Sequence, residues 1–93
     1  MTAKPHKDLR FFWLEAFIAV SEHGSQVKAS KALQCSQSKV SRAITDLEGW
    51  LGRVLLSSDV PPDLTEAGQS FLPVAREIVS LLADHRAVPG AQN

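Results

Sequence analysis

The chain has 93 residues, with ten Lys or Arg against ten Asp or Glu and a net charge of zero. That length makes one small domain, for which a dimer would add stability. A single cysteine, Cys35, excludes an intrachain disulfide and fits a reducing compartment. No apolar window approaches the length of a membrane helix, and no signal peptide is expected.

Residues 1–7 read as a flexible lead-in. Asp8 is placed to cap a first helix, with Phe12, Trp13, Ala16, Phe17 and Val20 at helical spacing. Gly24 ends that helix. Ser25 then starts a short second helix with Val27, Ala32 and Leu33 on its buried side. Gln34 and Cys35 make a turn, and Ser36 is placed to cap a third helix. Val40, Ile44, Leu47 and Leu51 form its buried stripe, and Gly52 stops it.

Val54, Leu55 and Leu56 are strand-like, but the Pro61-Pro62 pair excludes a regular hairpin. Residues 53–65 are therefore expected to form a short ribbon or loop, a wing. Thr65 caps a long last helix, which Gly68 and Pro73 should weaken. Two apolar stripes follow, Phe71, Val74, Ile78, Leu81 and Leu72, Ala75, Val79, Leu82. A helix apolar on two sides buries one on its own domain and one on a partner. Residues 88–93 read as a flexible tail.

The pair of helices around Gln34 and Cys35 carries the function. The third helix opens with Ser36, Gln37, Ser38, Lys39, Ser41 and Arg42. Such an end suits a helix that enters a DNA major groove by its first two turns. Gln pairs with adenine edges, and Ser and Arg hold phosphates or guanine. The neutral total charge argues for weak non-specific affinity. Its distribution is less neutral. Residues 1–42 hold seven Lys or Arg against three acids, and residues 43–93 three against seven, so the parts carry +4 and −4. Local patches decide, because exposed charges are screened within about 10 Å at 0.1 M salt.

No nucleophile–base pair, phosphate loop or metal-ligand spacing is present, so neither enzyme nor cofactor is expected. His6, His23 and His85 are scattered, Cys35 reads as a small packing residue, and Trp13 and Trp50 read as packing residues.

Residues 14–78 resemble the N-terminal DNA-binding domain of LysR-type transcriptional regulators. The resemblance rests on Leu14, Phe17, Val20, Glu22, Gly24-Ser25, Ala29, Leu33, Ser36-Gln37, Val40-Ser41-Arg42 and Ile44. It continues through Leu47-Glu48, Leu51-Gly52, Leu55 and Leu64-Thr65-Glu66-Ala67-Gly68. It implies a mainly α fold: a winged helix-turn-helix over residues 8–65, then a linker and dimerisation helix over residues 66–87. It also implies bacterial transcription regulation by a dimer on double-stranded DNA, at an imperfect palindrome, in the cytoplasm at the nucleoid.

Ser25, Lys28, Lys31, Ser36, Gln37, Ser38, Lys39, Ser41, Arg42 and Thr45 are the expected DNA contacts. Phe71, Val74, Ile78, Leu81 and Leu82 are the expected dimer interface. Three features depart from the family pattern. Ser38 stands where Pro is usual, Leu55-Leu56-Ser57-Ser58 lacks the usual arginine, and the wing is acidic, with Asp59 and Asp63. The family normally continues into an effector-binding domain, so the chain is read as a stand-alone regulator or autorepressor. The alternatives are a DNA-binding fragment of a longer regulator and an interaction module that docks another regulatory protein. Arg42→Ala separates DNA binding from docking.

Overall fold

The structure, a computed structural model, describes residues 8–86. Four helices follow one another: α1 Phe11–His23, α2 Gln26–Leu33, α3 Gln37–Leu51 and α4 Glu66–Ala83. The expected lead-in and tail fall outside the described residues.

The first helix is the hub. Trp13, Leu14, Ala16, Phe17, Ala19 and Val20 are all buried, which is more than one face of a helix. It can bury that much because it packs against α2, α3 and α4. Asp8 does not cap it. The N-cap is Arg10, without a side-chain hydrogen bond, and its carbonyl accepts from the Trp13 N–H at 3.0 Å. The core begins at Trp13, so the helix starts later than a polar cap alone suggests. At its other end Gly24 adopts φ +83° and donates to the Val20 carbonyl, as expected of a glycine stop.

Ser25 accepts from the Lys28 N–H at 3.1 Å and caps α2. The buried side of α2 differs from expectation. Val27 is 44% exposed, Ala32 is exposed and Leu33 half-buried, while Ala29 and Ser30 are buried. Small residues suit a short helix wedged against α1 and α3, and the Ser30 hydroxyl is satisfied by donating to the Val27 carbonyl at 2.7 Å. Gln34 makes the turn in the left-handed region at φ +58°, and Cys35 N–H donates back to the Ser30 carbonyl.

Ser36 caps α3, accepting from the Lys39 N–H at 3.1 Å. Val40, Ile44 and Leu47 of the expected stripe are buried with Ala43, and Leu51 is half-buried. Gly52 closes the helix at φ +72°.

Among the described residues the wing contains no strand, only one antiparallel bridge between Leu56 and Leu64. Val54 faces out at 61% exposure, while Leu55 and Leu56 enter the core. Thr65 ties the wing to α4. Its hydroxyl donates to the Val54 carbonyl at 2.6 Å and accepts from the Gly68 N–H at 3.0 Å.

Neither Gly68 nor Pro73 interrupts α4. Pro73 is exposed, so its missing N–H falls on an open face. Gly68 is buried, and a Cβ there would run into the backbone carbonyl oxygen of Leu55. It is the residue that lets α4 start against the wing. The helix ends at Ala83, with residues 84–86 in a turn, short of the expected position 87.

The apolar residues of α4 divide differently from the two stripes. Phe71, Leu72, Ala75, Ile78 and Val79 pack on the domain's own core, and Phe71 meets Phe17 with ring centroids 5.9 Å apart. Val74, Leu81 and Leu82 point outward, at 46%, 55% and 48% exposure. Trp13 is buried, whereas Trp50 is 40% exposed.

Candidate nucleic-acid interface

The exposed face of α3 is prepared by its cap and its buried stripe. Ser36 fixes where the helix begins, and Val40, Ala43, Ile44 and Leu47 hold the opposite side in the core. Gln37, Ser38, Arg42 and Thr45 are left exposed, with Ser41 half-buried. These five line one open groove, joined by Gln26 from α2 and Asp46 from α3. Gln26 was missed by sequence reasoning. It is the first residue of α2, and nothing local signals that the turn folds it back beside α3. Asp46 is the one carboxylate among these groove residues and sits at the far end from Gln37 along the helix.

A second cleft adjoins the first. Ser25, Gln26, Val27 and Gln37 form one wall, and the wing residues from Ser57 to Pro62 form the other. The wing therefore stands beside the start of α3.

Lys28, Lys31, Ser36 and Lys39 are exposed but lie outside both grooves. Lys39 places its Nζ 4.8 Å from the centre of the Phe12 ring, a cation–π contact that draws it toward α1. The Ser36 hydroxyl, besides capping, lies 3.3 Å from the Ser38 hydroxyl. Ser25 accepts a backbone N–H and keeps its own hydroxyl proton to donate.

Neither α2 nor α3 has an acidic residue in its first turn. Both helix starts keep the partial positive charge of their unpaired N–H groups, which favours anions. The face thus combines two amide-bearing or hydroxyl-bearing turns, one guanidinium and nearby lysines. A helix of this diameter fits a B-DNA major groove about 12 Å wide. Among the described residues no group of three or more His, Cys, Asp or Glu could hold a metal ion.

The helical core, the tight turn and the wing define a winged helix-turn-helix domain. Residues 11–69 match the model of the bacterial regulatory helix-turn-helix proteins of the lysR family, and the chain belongs to that family. Among its relatives is the lysine export transcriptional regulatory protein LysG of Corynebacterium glutamicum, 39% identical over 74 residues. That match covers 80% of this chain and 26% of LysG. The HTH-type transcriptional regulator TcbR of a Pseudomonas species is 43% identical over 74 residues, 78% of this chain and 25% of TcbR. The chain therefore spans about a quarter of the length of these relatives.

Among solved structures, the DNA-binding domain of CbnR in complex with DNA matches at TM-score 0.77 and 41% identity, covering 81% of this chain and 87% of that one. The DNA-binding domain of BenM bound to benA site 1 DNA matches at TM-score 0.77 and 33% identity, covering 81% and 88%.

Proposed function

We propose that this domain binds double-stranded DNA in a sequence-selective way and so places a LysR-type regulator on its operator. The groove lined by Gln37, Ser38, Ser41, Arg42 and Thr45 carries this reading. Gln37 and Ser38 present hydrogen-bonding groups to base edges from the first turn of α3. Ser41 and Arg42, one turn on, contact bases or backbone. Ser25, Ser36, Lys28, Lys31 and Lys39 surround that strip and hold phosphates, which fix register without reading sequence. The two DNA-bound relatives support the reading, since the domains they share with this chain are the ones crystallised on DNA.

The domain acts as a homodimer through α4, with Val74, Leu81 and Leu82 at the centre of the seam and Phe71 and Ile78 at its inner edge. Two copies of α3 then enter successive major grooves of an imperfect palindrome. Such a dimer represses by occupying a promoter, and it works in the cytoplasm at the nucleoid. Binding of duplex DNA followed by fluorescence anisotropy, with Arg42→Ala as the control, tests the reading. Loss of binding in the variant supports it, and binding indifferent to Arg42 rules it out.

A further inference from the structure

Asp59 and Asp63 belong to one small wing and line different hollows. Asp59 lines the cleft whose other wall is Ser25, Gln26 and Gln37. Asp63 lines a separate hollow with Gly24 and Gln69. The backbone between them is held by Ser57. Its hydroxyl accepts from the Asp59 N–H at 3.3 Å and the Asp63 N–H at 2.9 Å, and its own N–H donates to the Asp63 carbonyl at 2.8 Å. Both side chains are exposed, so replacing either disturbs no core packing.

We propose that Asp59 limits the phosphate-driven affinity of the α3 face, so that occupancy of DNA depends on base contacts. The inference rests on the DNA-binding reading above. A duplex seated on Gln37 brings its phosphates to the mouth of the cleft that Asp59 shares. The carboxylate opposes them whatever the sequence, because phosphate interactions carry no sequence information. Complexes held by phosphates alone are lost first. A cognate site keeps the hydrogen bonds that Gln37 and its neighbours make to bases. Asp63 does not line this cleft and provides the comparison.

The test measures binding of the 93-residue chain to random-sequence duplexes by fluorescence anisotropy across a salt series. Wild type, Asp59→Asn, Asp63→Asn and Arg42→Ala are compared. Asp59→Asn is expected to tighten binding about threefold near 0.1 M salt, the effect of one charge within a screening length of a few phosphates. The slope of log affinity on log salt should steepen by up to about 0.9, one phosphate's worth. Asp63→Asn should change both by less than half as much. Unchanged affinity and slope in Asp59→Asn, or equal tightening in the two variants, overturns the inference. Binding that is absent, or indifferent to Arg42→Ala, overturns the DNA reading and this inference with it. Arg42-dependent binding with no response to Asp59→Asn removes this inference alone.

Discussion

The Glu48 carboxylate, in the last turn of α3, accepts the backbone N–H of Leu55 at 2.8 Å through Oε2. The same oxygen accepts the Leu56 N–H at 3.2 Å. One side chain thus ties the end of α3 to the base of the wing. It also serves two backbone donors that the buried Leu55 and Leu56 carry into the interior. Buried donors left without partners are costly, so the tie fixes the angle between α3 and the wing.

Removing that acceptor should destabilise the fold. Glu48→Ala is expected to cost about 1–3 kcal/mol, and Glu48→Gln less, because the amide oxygen still accepts. Urea denaturation measures both. Equal midpoints for wild type and Glu48→Ala would show that the two N–H groups need no side-chain partner.

Two helical glycines should respond with opposite signs to the same change. Gly49 lies within α3 and a Cβ there meets nothing within 4 Å. Gly49→Ala should stabilise by roughly 0.5–1 kcal/mol through helix propensity. Gly68→Ala gains the same propensity but drives a methyl group into the Leu55 carbonyl, backbone against backbone. Overpacking costs about 1–3 kcal/mol, so the net effect should be destabilising. Thermal melts showing both variants above wild type would contradict the close approach of α4 to the wing.

The dimer seam is best tested at residues that owe nothing to the core. Val74→Glu and Leu81→Glu place charge on exposed positions of α4. Each should convert a dimer to a folded monomer in sedimentation velocity. Ile78→Glu should also lower stability, since Ile78 packs on the domain itself. A sedimentation profile unchanged by Val74→Glu and Leu81→Glu together would remove α4 as the seam.

Base reading and phosphate holding should separate on α3 and α2. Gln37→Ala should lower the preference for the selected site by about 1–3 kcal/mol. Lys31→Ala should weaken all duplexes alike and flatten the salt slope by about 0.9. The same loss of preference in both variants would contradict this division of roles.

Much of this was legible in the sequence. Ser25, Ser36 and Thr65 each cap the helix they precede, and Gly24 and Gly52 each close one, because caps and left-handed glycines are local devices. The strip from Gln37 to Thr45 followed from one register, set by the buried Val40, Ile44 and Leu47. Errors arose where the outcome depends on a distant neighbour. Val27 faces out because α2 meets α1 and α3 through Ala29 and Ser30. Gly68 reads in sequence only as a residue that weakens the helix, because its close approach to the Leu55 carbonyl is a long-range contact. Phe71 and Val74 line one hollow, yet Phe71 packs on the core and Val74 is exposed, because helical spacing does not say which apolar residue meets Phe17. Gln26 joined the groove through the turn at Gln34, which no periodicity records.

The most direct test of the central claim is genome-wide DNA occupancy of the tagged protein in the cells that encode it, beside its Arg42→Ala variant. The account predicts a few sharp peaks that share an inverted repeat and vanish in the variant. A folded, expressed protein with no peaks, or with peaks that survive Arg42→Ala, would contradict it.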